Sequence, residues 1–134
     1  MNDPAASVAY DYAVIRIVPR VHAGEFGNVG VILHARRLGF LDILFSVDRD
    51  RIASISRHVD ADLLERHLRA WKSIAQGDTG SGSVGLLPPS ERFHWLTSPR
   101  STMLQTSPVH PGRCGDPAKA LRDLFERYCG ALNG

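Results

Sequence analysis

The stretch that decides the fold lies in the first third of the chain, where residues 10–47 read YDYAVIRIVPRVHAGEFGNVGVILHARRLGFLDILFSV. Residues 10–18 are rich in β-branched and aromatic side chains, which predicts a first strand that ends near Pro19. Residues 29–35 and 40–47 predict two further strands, joined to each other by a short turn. Both faces of the first strand are largely apolar, so we expect it to be covered on both sides.

Two longer helices are predicted by apolar residues at helical spacing. The first runs from residue 61 to residue 76, after the capping residue Asp60 and before Gly77. Its apolar stripe consists of Leu64, Leu68, Trp71 and Ala75. The second opens at Asp116 and Pro117, which are favoured at the N-cap and at the first helical position. Its apolar stripe consists of Leu121, Leu124, Phe125, Tyr128 and Leu132.

The segments between these elements have weaker patterns. Residues 48–58 fit a short helix, because Ile52 and Ile55 are three positions apart. Residues 77–90 are rich in Gly, Ser and Pro and predict a flexible loop, either a lid or a linker. Two more strands are predicted, and the stretch that follows them is expected to be irregular. These strands cover residues 92–96 and 102–106, and the irregular stretch covers residues 107–115.

The predicted element order is β-β-β-α-α-β-β-α. This order indicates an α+β fold with a mostly antiparallel sheet of about five strands and helices packed on one face. The length of 134 residues is typical of a single domain, which we expect to span residues 1–134. A hydrophobic content of 43% with 22% charged residues is typical of a globular protein.

Several classes of function are disfavoured by what the sequence lacks. It has no run of 18 apolar residues, and residues 1–8 lack the basic start and apolar core of a secretory signal. We therefore expect a cytoplasmic protein in which Cys114 and Cys129 are reduced thiols. No zinc-ligand spacing, HExxH, GxSxG or phosphate-loop motif occurs, so no metal, cofactor or catalytic residue is predicted. Whether the protein is an enzyme stays open.

The basic residues are strongly biased towards arginine, with 14 Arg and 2 Lys against 14 acidic residues. Arginine is the side chain best suited to phosphate recognition, so weak nucleic-acid binding is one interpretation. However, the net charge is only +2 and most arginines lie beside Asp or Glu, as at 48–51. The charge pattern therefore disfavours a nucleic-acid partner.

Four polar residues at predicted strand or turn positions form the candidate ligand site: Arg16, Glu25, Asn28 and Arg100. Arg16 lies on an apolar strand face, where a guanidinium needs a carboxylate or several carbonyls as partners. Glu25 is the nearest carboxylate if the hairpin turn folds back. A pocket of these four would bind an anion or a small polar ligand. The alternative is a structural clamp, with Asn28 selected for left-handed backbone geometry and Arg100 as a turn residue.

The N-terminal third also resembles a known bacterial family, domain of unknown function 3037, which begins with a Tyr-rich strand, a proline and a Glu-x-x-Asn-x-Gly-Val turn. The matching residues are Tyr12, Arg16, Pro19, Glu25, Asn28, Gly30 and Val31. The region near the C-terminus is similar at residues 98–101, 116 and 124–128. The resemblance covers about residues 8–130.

The family resemblance implies no established activity. Genes of this family are often found beside genes for HipA-like kinases, which implies an accessory or interaction module with such a kinase as its partner. A small enzyme or a ligand-binding protein that uses the four polar residues is the second interpretation, and arginine-mediated nucleic-acid binding is the third. The sequence leaves the ligand and the oligomeric state open.

Overall fold

The computed structural model describes residues 7–20, 25–55, 59–99 and 103–130, without the side chains of residues 19, 20, 25, 26 and 55. Within these ranges the strands are β1 (Val8–Arg20), β2 (Glu25–Ala35), β3 (Phe40–Phe45), β4 (Leu104–Thr106) and β5 (His110–Cys114). The helices are α1 (Arg49–Ile55), α2 (Ala61–Gln76), α3 (Pro89–Thr97) and α4 (Pro117–Cys129). The α+β class and the five-stranded antiparallel sheet are thus confirmed.

Strand β1 is the centre of the sheet. On one side it pairs with β2, which pairs in turn with β3, and all these pairings are antiparallel. On the other side, β5 pairs with the first half of β1 and β4 with the second half. The two short strands therefore lie end to end along one edge of β1.

Helix α2 begins and ends where its capping residues predict, and α4 begins where Asp116 and Pro117 predict. Helix α4 ends at Cys129, and Leu132 of its predicted apolar stripe lies outside the described residues. The Asp60 carboxylate accepts hydrogen bonds from the backbone N–H groups of residues 62 and 63, and Gly77 ends α2 with φ of 70°. Asp116 caps α4 in the same way. Asp48 accepts from two backbone N–H groups in the first turn of α1, so the predicted short helix is confirmed as well.

Helices cover both faces of the sheet, so the expected packing on one face describes only part of the arrangement. Ala13, Ile15 and Ile17 of β1 pack with the buried residues of α2 and α3. The opposite face of the neighbouring strand packs on α4, through Val31, Leu33, Ala35, Leu121, Leu124 and Phe125. This second layer accounts for the apolar residues on both faces of β1 and β2.

Residues 92–96 form part of helix α3, so the strand predicted there is wrong. Pro89 occupies the first helical turn, and Phe93 and Leu96 are buried three positions apart, as a helix requires. The loop before α3 contains two short 3-10 turns, Thr79–Ser81 and Val84–Leu86. The Arg92 guanidinium donates hydrogen bonds to the carbonyls of Leu87 and Ala75, which ties this loop to the end of α2.

Residues 110–114 form strand β5, although the stretch 107–115 was expected to be irregular. Its residues have low strand propensity, and it exists because β1 offers a free edge to pair with. The chain switches from β4 to β5 at Ser107, whose N–H donates to the Val14 carbonyl at 2.8 Å. The Ser107 hydroxyl accepts from the Val14 N–H at 2.9 Å, so a side chain bridges the gap in the ladder.

Replacing Ser107 by alanine should lower the free energy of unfolding by about 1–3 kcal/mol, because the buried Val14 N–H would lose its acceptor. Urea unfolding followed by circular dichroism measures this loss. Ser54→Ala is the matched control, since its hydroxyl bonds a carbonyl on the exposed surface of α1 and should change stability by less than about 0.5 kcal/mol. Equal effects of the two variants would contradict the role of Ser107.

Candidate functional site

Three polar residues form a row across the sheet on the face that α4 covers. Arg16 of β1 lies directly opposite Asn28 of β2 on one side and Gln105 of β4 on the other. Directly opposed residues of antiparallel strands project from the same face. The structure therefore brings together two of the four predicted site residues, Arg16 and Asn28, and adds Gln105.

Asn28 ties the sheet to the end of α4. Its side-chain amide donates to the Tyr128 carbonyl at 2.9 Å. Its Oδ1 atom is buried and has no hydrogen-bond partner among the described residues. Arg51 of α1 holds the next carbonyl, that of Cys129, at 3.2 Å. These two donors satisfy carbonyls of the last helical turn that have no partner within the helix.

The predicted backbone role of Asn28 is wrong. Asn28 lies within β2, and none of the described residues other than glycine has a positive φ. The side chain is thus required for its bond to α4 and not for turn geometry.

The strand register does not place Glu25 opposite Arg16, as had been expected from the sequence. A bulge after Ile15 places Asn28 opposite Arg16, while the backbone of Glu25 lies opposite Arg20. The Glu25 side chain and the whole of Arg100 lie outside the described residues. The structure therefore describes the side chains of Arg16 and Asn28, and it describes neither the side chain of Glu25 nor any part of Arg100.

A cluster of aromatic rings lies on the same face, beside the row. The hydroxyl groups of Tyr12 and Tyr128 are 3.1 Å apart, and the rings of Tyr10 and His110 lie 6.1 Å and 5.6 Å from that of Tyr12. The hydrogen bond to Tyr128, together with burial, raises the pKa of Tyr12 to about 12. The sequence pattern misses this cluster because its members come from β1, β5 and α4.

The free energy of unfolding should fall as the pH rises from 10 to 12. The pKa of Tyr12 is about 12 in the folded protein against an ordinary value of 10, so the folded state holds its proton more tightly. The stabilisation is complete below pH 10 and is lost as the pH rises through 12. Denaturant unfolding of the wild type and Tyr12→Phe over this range measures the difference. A variant with the same pH slope as the wild type would contradict the assignment.

An apolar groove lies on the outer side of α3, on the other face of the molecule. It has a volume of about 420 Å³ and is lined by Leu87, Ser90, Glu91, His94, Trp95 and Ser98. Leu86, next to the groove in sequence, is 71% exposed, and Leu87 and Trp95 are 38% and 37% exposed. This groove is not predictable from the sequence pattern, because a strand over residues 92–96 would separate Glu91, Trp95 and Ser98.

The described residues contain no group of three or more His, Cys, Asp or Glu side chains that could hold a metal ion. Both cysteines are free thiols, and burial raises the pKa of Cys129 to about 11. Among the helices that the structure describes, none is long and apolar enough to cross a membrane.

In comparison with known proteins, residues 12–129 match a family model described as 'Protein of unknown function (DUF3037)'. The match covers most of the chain. No curated protein and no solved structure matches it.

Proposed function

We propose that this chain, which belongs to the DUF3037 family of proteins of unknown function, is an accessory module that binds a partner protein through the groove on α3. The observation that carries the proposal is the exposure of Leu87 and Trp95, which line one apolar groove. Contiguous apolar surface with a polar rim is typical of protein interaction sites, and tryptophan is enriched among the residues that dominate binding energy.

The groove also indicates the chemistry of its occupant. Its volume of about 420 Å³ is enough for one or two large apolar side chains. The rim carries Glu91, which makes no ion pair with the residues that the structure describes. A segment with an aromatic or aliphatic anchor beside a Lys or Arg is complementary to this surface. We propose a HipA-like kinase, the partner that the family association implies, as the protein that provides it.

Addition of a partner strand to β3 is a less favourable mode of binding. Both backbone groups of Ile43, in the middle of β3, already bond side chains of this chain. The N–H donates to Asp42 Oδ1 at 2.8 Å, and the carbonyl accepts from Lys72 Nζ at 3.0 Å. Charged side chains that occupy an edge strand in this way disfavour pairing with another strand. The groove on α3 is therefore the better candidate surface.

Co-expression with a HipA-like kinase from the same genome, followed by affinity purification, tests the proposal. We expect the two proteins to elute together and Leu87→Ser to weaken the complex by about tenfold or more. Leu63→Ser is the matched control, because Leu63 is also 38% exposed but lies in the first turn of α2. Separate elution of the wild-type proteins, or equal effects of the two variants, would contradict the proposal.

A second candidate function uses the polar row of Gln105, Arg16 and Asn28. The observation that favours it is the buried Oδ1 of Asn28, which has no partner among the described residues and can accept a hydrogen bond from a ligand. In this proposal Arg16, Glu25, Asn28 and Arg100 bind a small anionic or polar ligand that also carries a hydrogen-bond donor for Asn28 Oδ1, as in an enzyme or a ligand-binding protein. Loss of binding to a panel of organic acids in Arg16→Gln, measured by calorimetry, tests it.

A further inference from the structure

A second cavity lies between β5 and α4, on the face opposite the α3 groove. Its volume is about 350 Å³. The polar side chains along its wall include Tyr10, Arg113, Asp116, Lys119, Asp123 and Arg127. The cavity shares no lining residue with the α3 groove.

Gly112 shapes one wall of the cavity. It lies directly opposite Tyr10 in the pairing of β5 with β1, and a Cβ atom at Gly112 would lie 2.3 Å from Cζ of the tyrosine ring. The absence of a side chain therefore lets the ring lie across β5, where Tyr10 lines the cavity. A phenol is protonated at neutral pH, and burial raises the pKa of Tyr10 further above its ordinary value, so its hydroxyl can donate a hydrogen bond.

The side chains that line the cavity carry a net positive charge. Three cationic side chains, Arg113, Lys119 and Arg127, line it together with two carboxylates, Asp116 and Asp123. Arg113 donates to two neutral oxygens of Ser7, and these contacts do not compensate its charge.

Both carboxylates already have partners. Asp116 accepts from the N–H groups of Ala118 and Lys119 as the cap of α4. Asp123 pairs with the Lys119 ammonium group at 2.7 Å. Arg127 makes no ion pair within the described part of the chain. The Asp116 carboxylate also occupies N–H groups at the N-terminus of α4, so an anion in this cavity would be held by side chains.

We propose that this cavity binds a small anion with a phosphate or carboxylate group, held by Arg113, Lys119 and Arg127 with the Tyr10 hydroxyl as a further donor. Guanidinium groups form the strongest protein contacts to these two groups, because their paired N–H donors match two oxygens at once. The volume of about 350 Å³ suits a metabolite-sized ligand and excludes a folded partner.

Titration of the full chain with inorganic phosphate and, separately, with acetate tests this site by NMR. We expect one of the two anions, or both, to shift the amide signals of residues 113–127 at millimolar concentration and to saturate. The anion that binds more tightly identifies the preferred group. Arg127→Gln should weaken binding by about tenfold, because it removes a charged donor.

Arg122→Gln is the matched control, since Arg122 is an exposed arginine of the same helix that does not line the cavity. It removes the same charge and should leave the affinity within about twofold. Shifts spread over the whole surface, an equal loss of affinity in both variants, or no saturable shift with either anion would overturn the proposal. Each of these outcomes is independent of whether the α3 groove binds a partner.

Discussion

Replacing Phe125 by alanine should lower the free energy of unfolding by about 3–5 kcal/mol, which is the range for removing a buried aromatic ring from a core. Phe125 is completely buried on α4, where it packs with Val31 and Leu33 of β2. A folded protein of this kind is stable by about 5–15 kcal/mol in total, so the variant would lose a large part of its stability. Urea unfolding measures the loss.

Glu126→Ala is the control for this prediction. Glu126 follows Phe125 on the same helix but is exposed, so its replacement should change stability by less than about 0.5 kcal/mol. A loss of less than about 1 kcal/mol in Phe125→Ala would contradict the packing of α4 on the sheet. That outcome would also contradict the proposed anion cavity, because residues of α4 form one of its walls.

Replacing Gly30 by alanine should also destabilise the protein, by about 1–3 kcal/mol, and valine should cost more. A Cβ atom at this position would lie 2.7 Å from the Leu44 carbonyl oxygen and 3.2 Å from Cβ of Phe45. The first contact is with backbone, so β2 and β3 would have to separate locally. Gly30 belongs to the Glu-x-x-Asn-x-Gly-Val element, and this close approach gives a physical reason for glycine at that place.

Gly80→Ala is the matched control for Gly30→Ala. An added Cβ at Gly80 meets no atom within 4 Å, and its φ is not positive. We therefore expect it to unfold at the same denaturant concentration as the wild type, or slightly above it, because alanine restricts the unfolded chain. If Gly30→Ala also unfolds at the wild-type midpoint, the strands can adjust and the steric argument fails.

The elements that were predictable are those whose signals are local. Helix α2 follows from its cap at Asp60, its apolar stripe and the glycine after it, and its observed bounds match the prediction. Strand β5 could not be predicted in this way, because a segment that contains Pro111 and Gly112 forms a strand only when the edge of β1 is available. The composition of helix α3 resembles that of a strand. Its helical character shows only in the burial of Phe93 and Leu96, which are three positions apart.

The positions of the site residues depend on sequence and tertiary structure to different degrees. The polar residues Arg16 and Asn28 stand out on apolar strands, so their importance was visible in the sequence. The neighbours of these two residues could not be predicted from the sequence. A bulge after Ile15 sets the strand register, and Gln105 belongs to a strand that is distant in the sequence. The side of the sheet that α4 covers is likewise a property of the whole fold, since an apolar stripe does not specify which face it packs against.

Hydrogen–deuterium exchange on the chain in complex with a HipA-like kinase tests the proposed function most directly. The proposal predicts slower exchange in residues 84–97 of the complex, around the exposed Leu87 and Trp95, and unchanged exchange in residues 117–129 of α4. Absence of a complex, or protection confined to β3 or α4 with residues 84–97 unchanged, would contradict it.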